Sequence, residues 1–526
     1  MDKIFGLNQQ VSYIGLWILL AFVIAIWTIY KNSNVTKIVF RKKNSELNVQ
    51  SKTNERTNVI QKQNNLIISE DSDSESDYDI KLENYGNLCK IAYLTSIESI
   101  EELIQNVPQK IDRSDTEKYT YGRVYPISLD KAYSSHNWEI RRNLFFQHGH
   151  FKSGKHLFPT IIKIIDHYVD SYGTKKTISF NDLIFDISLT TTFSALFGEE
   201  IKHENGTIFI DFVNTLKKMN KFKVKNAKKK KKEHIYDAFQ NLTNSAHTNF
   251  TNALERGVSD FTAIEKNEPF KTDKKNIDEL HRVLLNYLTD SGKLDEMLSS
   301  DCNQEQEVTQ EQILNDILHM MDAGSGSLYL VVVSILFRLK LHPEIKTRLQ
   351  RELKRCGFKD RINTSEWSKN PELPGLLQQC DYLHYIVKEC LRIDPPTADS
   401  NFYEAKEDVM GIKKGTKIAI DIDSIHHDEA YWHEPNSFIP ERFDLDHRYY
   451  TVPGTDMYRS PLMYMPFSTG IRMCPGSIFA LTTIKTIVAY FLCKYEYKLL
   501  KLKPNDDSVR FEIENETILY GRVIKK

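Results

Sequence analysis

The chain has 526 residues, 40% of them hydrophobic, and a formal net charge of −1 at neutral pH. That is enough apolar material for a large core, and the balanced charge gives no global sign of a nucleic acid partner. The seven cysteines are odd in number and none forms a Cys-x-x-Cys pair. Neither a disulfide framework nor a zinc module is expected, and a reducing compartment is expected for the folded part.

Residues 11–30, VSYIGLWILLAFVIAIWTIY, carry no charge. Twenty helical residues span about 30 Å, the thickness of a bilayer's hydrocarbon core. Tyr13, Trp17, Trp27 and Tyr30 are amphipathic aromatics of the kind found at membrane interfaces. A cleaved signal peptide has a shorter apolar region and a small-residue cleavage site, and neither is evident here. The reading is therefore one uncleaved transmembrane anchor within residues 1–30. Lys31, Lys37, Arg41, Lys42 and Lys43 follow it, against Lys3 alone before it, which places the C-terminal bulk on the cytosolic side. Residues 31–83 read as a polar linker. Its acidic, serine-rich tract at 69–79 cannot bury enough apolar surface to order itself.

Globular patterning starts near Tyr85. LCKIAYL at 88–94 predicts a strand and SIESIEELIQN at 96–106 a helix, and from 138 to 350 the pattern is mostly helical. Thr309 and Gln312 fit a capping box ahead of an apolar run that continues to about Lys340. In its middle lies AGSGS, residues 323–327. A helix-interior glycine costs up to about 1 kcal/mol relative to alanine. Two of them signal a kink, a close approach to the backbone, or close packing against another helix. Short β-like runs surround the turn GIKKGT between 402 and 425. His426 and His427, read there as neighbours on a strand, would face opposite sides and share no metal. The run SIFALTTIKTIVAYFL at 477–492 has helical periodicity. The chemistry concentrates just before it, in PFSTGIRMCPGS at 466–477. One cysteine, Cys474, sits among glycines and an arginine at a helix start, an arrangement suited to holding a single sulfur rigidly. A thiolate binds iron, and metal binding deprotonates the thiol outright.

FSTGIRMCPG resembles, position for position, the haem-binding loop FxxGxRxCxG of the cytochrome P-450 family, through Phe467, Gly470, Arg472, Cys474 and Gly476. In chain order, WEIRR at 138–142 resembles the family's WxxxR, ECLR at 389–392 its ExxR, and PERF at 440–443 matches directly. The resemblance covers roughly residues 84–526. It implies the mainly helical cytochrome P-450 fold with a small β-region, preceded here by the transmembrane helix. It implies haem b with Cys474 thiolate as the axial iron ligand, the thiolate pushing electron density to favour O–O cleavage. Arg472 and Arg142 would neutralise the haem propionates and Trp138 would donate its indole N–H. Phe467 would cover the sulfur, and Gly470 and Gly476 would permit tight turns around it. Glu389, Arg392 and Arg442 would form a buried structural network behind the loop.

The long helix departs from the family. The aligned AGxDT positions are Ala323, Gly324, Ser325, Gly326 and Ser327, so the hydroxyl is kept at Ser327 and the carboxylate is missing at Gly326. Oxygen activation needs protons delivered before the O–O bond breaks, and a placed proton-transfer group is worth 10²–10⁴-fold. Ser327 is the candidate relay, with His319 or Asp322 as substitutes. Near Tyr403 an arginine common in the family as a propionate contact is missing, and little room remains before Trp138 for the usual first sheet. The lysine run at 217–234 falls near a family loop that faces the membrane, where each lysine contributes about 1 kcal/mol; a solvated insertion is the equal alternative. The implied function is a haem-thiolate monooxygenase. It would insert one oxygen atom from O₂ into an apolar, lipid- or sterol-like substrate at an endoplasmic-reticulum-like membrane. Its electrons would come from a separate NADPH-dependent reductase, since no flavin or ferredoxin domain follows residue 526. The alternatives are a haem-thiolate isomerase or dehydratase acting on peroxides, and a non-catalytic haem sensor or binding protein.

Overall fold

The computed structural model describes residues 80–85, 89–113, 127–147, 157–174, 176–197, 310–358, 364–500 and 519–525. The expected anchor at 11–30, the acidic tract and the lysine run lie outside the described residues. The chain divides into two compact units, residues 1–77 with 82–92 and residues 78–81 with 93–526; in the first, strand residues 82–85 and 89–92 are described.

Strands β1 (Ile80–Tyr85) and β2 (Cys89–Leu94) precede helix α1 (Ile97–Asn106) and strand β3 (Ile111–Arg113). Strand β1 thus starts inside the stretch read as linker. Three short strands also occupy the region judged too small for a first sheet; IKLENY and IDR are too polar and too brief to announce themselves as strands. Helix α1 is legible: Ser96 accepts the Ser99 N–H as its cap, and Ile97, Ile100 and Leu103 form its buried stripe.

Helices α2 (His136–Gln147) and α3 (Phe158–Tyr172), strand β4 (Ile178–Ser179) and helix α4 (Phe180–Phe197) follow. Helix α5 (Gln310–Leu341) then runs 32 residues, about 48 Å, in agreement with the helix expected from Thr309 to Lys340. Beyond it come α6 (Pro343–Arg355), α7 (Thr364–Lys369), α8 (Leu373–Gln378) and α9 (Asp381–Ile393). Strands β5 (Tyr403–Ala405) and β6 (Lys417–Ile420) flank the GIKKGT turn, and a short helix α10 (Ile422–His426) follows them. His426 and His427 therefore end a helix rather than lie on a strand. Helix α11 (Ser477–Lys494) and strands β7 (Tyr495–Leu499) and β8 (Tyr520–Lys525) complete the order.

In the second unit β5 pairs antiparallel with both β3 and β6, and β8 lies between β4 and β7. The β3–β5 register sets Arg113 opposite Tyr403. Helices α5 and α11 are long and apolar enough to cross a membrane, yet most of each is buried among other helices. On α5, Val331, Val332, Val333, Ile335, Leu336 and Phe337 are all buried, as in a helix that is apolar all round because it runs through a core. It packs along α4, and α11 packs on both α5 and α3. Gly324 explains part of AGSGS: a Cβ there would come 2.9 Å from Thr192 Cγ2 of α4. At Gly326 a Cβ would meet nothing within 4 Å.

Candidate active site

The segment before α11 is shaped around one sulfur. Cys474 donates its backbone N–H to Phe467 O at 2.9 Å, which closes the loop. Ser468 and Gly470 take φ values of 59° and 65°, in the left-handed region that glycine enters at no steric cost and serine does not. Gly476 has φ −89°, a turn conformation that needs no left-handed backbone. It also caps α11, and its Cβ position lies 3.9 Å from Cys474 Sγ, leaving the flank of the sulfur clear. Burial pushes the Cys474 thiol up, while the Gly476 N–H and the Arg142 guanidinium pull it down without cancelling the rise. The free group is thus a thiol at neutral pH, and a bound metal would be what deprotonates it.

Cys474 lines a cavity of about 410 Å³. Phe467, Phe479, Ala480 and Ile484 share its sector of the wall. Helix α5 supplies His319, Met320, Ala323, Gly324, Ser327, Leu328 and Val331, a set whose three- and four-residue steps mark one helix face. Asp322 and Gly326 are not among the lining residues, so of the two substitute relays only His319 faces the cavity.

Arg113, Trp138, Arg142 and Arg472 line a third sector. The Arg472 guanidinium carbon lies 4.1 Å from the centre of the Trp138 ring and that of Arg142 5.4 Å, a doubly cation-bearing aromatic face. Arg142 also donates to Met473 O at 2.6 Å. Arg472 commits Nη2 to Asp112 Oδ1 at 3.0 Å, Ala132 O at 2.9 Å and Ser134 Oγ at 2.6 Å. Burial and the neighbouring Arg113 lower Arg472 to about 10, with Asp112 opposing them, so it stays charged at neutral pH. Burial would raise the Asp112 carboxyl, but donors from Ser134 and Arg113, together with Arg472, hold it below its ordinary value.

Arg113 is the residue that sequence reasoning missed. No arginine stands near Tyr403 on β5, yet the antiparallel register places Arg113 of β3 beside it, with the guanidinium 4.6 Å from the Tyr403 ring centre. Among the described residues, Arg113 Nε and Arg472 Nε and Nη1 are buried without a hydrogen-bond partner. Buried donors are normally satisfied. Three unpartnered guanidinium donors beside an otherwise largely apolar cavity fit a flat apolar group that carries carboxylates. That is the chemistry of haem, with Cys474 available to its iron.

Behind the loop, Glu389, Arg392 and Arg442 have no exposed side-chain surface. Arg392 grips Glu389 through Nε at 2.9 Å and Nη2 at 2.8 Å, and Arg442 Nε donates to Oε1 at 3.0 Å. The remaining guanidinium donors reach the carbonyls of His426, His433, Glu434, Pro435 and Ser437. Burial alone would raise the Glu389 carboxyl, but the two guanidiniums reverse that and hold it low. None of the three lines the cavity.

The sequence profile of the cytochrome P450 family matches residues 57–517. The chain belongs to the cytochrome P450 family. It is 26% identical over 339 residues to germacrene A hydroxylase of Tanacetum parthenium, covering 63% of this chain and 61% of that protein. Amorpha-4,11-diene 12-monooxygenase of Artemisia annua is 25% identical over 338 residues, covering 63% of this chain and 60% of that protein. The chain thus spans about three-fifths of the length of these curated relatives. Among solved structures, retinoic acid-bound cyanobacterial CYP120A1 superposes with a TM-score of 0.61 over 85% of this chain and 92% of that one, at 16% identity. A zebrafish cytochrome P450 with abiraterone gives 0.59 over 85% and 96%, at 17% identity. These two likenesses concern the fold, which is the P450 fold, mainly helical with a small sheet region.

The same cytochrome P450 carries a second pairing that sequence reasoning missed. Arg141, the neighbour of Arg142 in WEIRR, donates from Nε to Asp316 Oδ2 at 2.8 Å and from Nη2 to Oδ1 at 2.5 Å. Both side chains are buried. The pair ties α2, which carries Trp138 and Arg142, to the helix that carries Ser327. An acid inside the apolar run of α5 was its one sequence signal.

Proposed function

We propose that the protein is a haem-thiolate monooxygenase that inserts one oxygen atom from O₂ into an apolar small molecule. The observation that carries the reading is the cavity wall itself. It joins a lone cysteine on a shaped loop to three unpartnered guanidinium donors and an apolar helix face. Cys474 would ligate the iron of haem b through its thiolate, and Arg113, Arg142, Arg472 and Trp138 would hold the propionates. When bound, the haem supplies oxygen activation, which the thiolate favours. The chain's own part is to orient, exclude water and move protons. Phe467 and Phe479 keep the sulfur in an apolar setting, and Ser327 offers a hydroxyl on the cavity face of α5 as the proton relay. Glu389, Arg392 and Arg442 hold the scaffold behind the loop and touch no reactant.

The apolar α5 face and the relatives named for oxygenating germacrene A and amorpha-4,11-diene support an apolar substrate, lipid-like or sterol-like. Electrons are assigned to a separate NADPH-dependent reductase. The setting is assigned to the cytosolic side of an endoplasmic-reticulum-like membrane, held by residues 11–30. The test is the absorbance of the reduced, CO-treated protein. Wild type shows the red-shifted Soret band of thiolate ligation and Cys474→Ala loses it; retention of the band in the variant overturns the ligand assignment. NADPH consumption with an added reductase, giving oxygenated product, establishes the reaction.

A second reading rests on one observation: none of the described α5 residues on the cavity wall is a carboxylate. An isomerase or dehydratase of peroxides needs no proton relay and no external electrons. Turnover of a lipid hydroperoxide without NADPH would select it.

A further inference from the structure

His426 is fully buried and takes no part in the chemistry described above. It ends α10, between the Glu389 network and the segment that leads to the cysteine. Its carbonyl accepts Arg392 Nη1 at 2.8 Å. Its ring nitrogen Nε2 lies 3.0 Å from the backbone N of Met465, which donates to it. The ring stacks on Tyr464 at 5.6 Å with planes 20° apart, and stands edge-on to Trp432 at 6.5 Å. Tyr464 in turn donates its hydroxyl to Lys388 O of α9 at 3.1 Å.

Met465 is where the cysteine loop begins. Pro466 follows and has no N–H; Ser468 then donates to Met465 O, and Cys474 closes back on Phe467 O. Met465 is itself buried. A backbone N–H there must find an acceptor inside the protein, and the one it finds is an imidazole. An imidazole nitrogen accepts only when it carries no proton, so the proton sits on Nδ1, and the ring must be neutral. Burial first, then the Arg392 guanidinium and His427, lower His426 to about 3, with Asp423 opposing them. Neutrality is therefore secure at any working pH.

We propose that His426 is the positioning residue that couples the Glu389–Arg392–Arg442 network to the cysteine loop, by accepting the Met465 N–H and so fixing where the loop starts. This inference rests on the haem-thiolate reading of Cys474. Arg392 holds the His426 carbonyl while the His426 imidazole holds the Met465 N–H, so one residue bonds to both network and loop. A loop already strained at Ser468 needs both ends held for Cys474 to stay where a thiolate bond requires it.

The test compares full-length holoprotein carrying His426→Phe with His426→Gln. Phenylalanine keeps a ring against Tyr464 and loses the acceptor; glutamine keeps an acceptor oxygen and loses the ring. The readouts are the fraction of reduced, CO-bound protein with the thiolate Soret band, the rate at which that band decays in mild denaturant, and backbone amide exchange across 464–474. Decay about tenfold faster in His426→Phe, with faster exchange at 464–474 and partial rescue in His426→Gln, is the expected result. If both variants decay like wild type, or both lose thermal stability equally with the band fraction unchanged, the inference is overturned. Should His426→Phe fail to accumulate, wild type against His426→Gln still decides. A Met465 amide exchanging as fast in wild type as an unbonded loop amide refutes the bond. A wild type without the thiolate band would instead refute the haem-thiolate reading, so the two failures are separable.

Discussion

Arg472 lines the cavity and commits one part of its guanidinium to the fold. Nη2 satisfies Asp112, Ala132 and Ser134, while Nε and Nη1 have no partner among the described residues. Arg113 has a lighter structural task, one bond of 3.2 Å to Asn401 O and an ion pair of 3.7 Å with Asp130. The two arginines therefore respond differently to replacement. Arg472→Leu takes one of two cations from buried Asp112, which keeps Lys406 at 3.2 Å, and costs about 2 kcal/mol of folding stability, read by denaturant unfolding of the haem-free protein. Arg113→Gln leaves that unfolding curve within about 1 kcal/mol of wild type and speeds haem loss to a scavenger apoprotein. Equal haem loss from wild type and Arg113→Gln would remove Arg113 from the propionate site. Ser327 and Gly326 are tested by product formed per NADPH consumed. Ser327→Ala lowers that ratio, because the hydroxyl on the cavity wall is lost, by up to the 10²-fold lower end of proton-transfer effects. Gly326→Asp has room, since the new Cβ meets no heavy atom within 4 Å, but position 326 is off the cavity wall, so a raised ratio would show the carboxylate acting through Ser327. A ratio near unity in wild type and in Ser327→Ala would move the relay to His319. The residues legible in the sequence, Cys474, Arg472 and Trp138, lie inside short motifs. Arg113 was illegible because strand register, which no local pattern encodes, is what brings it to Tyr403.

Element contacts are held by a few side chains whose removal has a calculable sign. Asp166 on α3 accepts the hydroxyls of Tyr490 at 2.9 Å and Tyr495 at 2.6 Å, the Lys494 ammonium at 2.5 Å, and the Thr364 hydroxyl. It thereby joins α3 to α7, to the end of α11 and to the start of β7. Burial raises its carboxyl, but the four donors outweigh burial and hold it below the ordinary value. A depressed folded pKa means that the stabilisation is complete above the unfolded carboxylate's range and fades as pH falls through the lower folded value. Asp166→Asn thus costs about 2 kcal/mol at pH 7, and its difference from wild type narrows as unfolding is repeated at more acid pH. A difference that is constant with pH would show that Asp166 acts through shape rather than charge. At the crossing of α5 and α4, Gly324→Ala gains up to about 1 kcal/mol of helix propensity but drives a methyl to 2.9 Å from Thr192 Cγ2. Overpacking costs about 1–3 kcal/mol, so the single change destabilises. Adding Thr192→Ser, which deletes the opposing methyl, should restore the lost melting temperature. Helices α1, α5 and α11 were legible because a cap or a long apolar period marks them. Strands β1, β3 and β4 were not, because two to six residues carry too little period, and the partners of β3 and β4 lie far along the chain.

At the scale of the whole molecule, the order of the motifs made the family legible before any coordinate. Each motif read alone is also an ordinary buried cysteine, core tryptophan or surface arginine. Only folding shows that Cys474, Trp138, Arg113 and the α5 face line one cavity. The sequence features read as membrane-binding lie outside the described residues, and they give a prediction of their own. Residues 11–30 supply an uncharged span long enough to cross a bilayer. If it faces lipid, the lysine run at 217–234 would add an independent, electrostatic attraction of about 1 kcal/mol per lysine near an anionic leaflet. The two differ in what releases them. A transmembrane helix is insensitive to salt, whereas a polybasic contact is screened over a Debye length of about 8 Å at physiological ionic strength. Deleting residues 1–43 should therefore leave a fraction of the protein on vesicles containing anionic lipid at low salt, and 0.5 M salt should release that fraction. Full-length protein should stay bound in both. Vesicles of neutral lipid should not retain the truncated form. If the truncated form leaves anionic vesicles completely at low salt, the lysine run is a solvated insertion. If it remains bound in high salt, an apolar surface of the haem domain, and not the run, holds it to lipid.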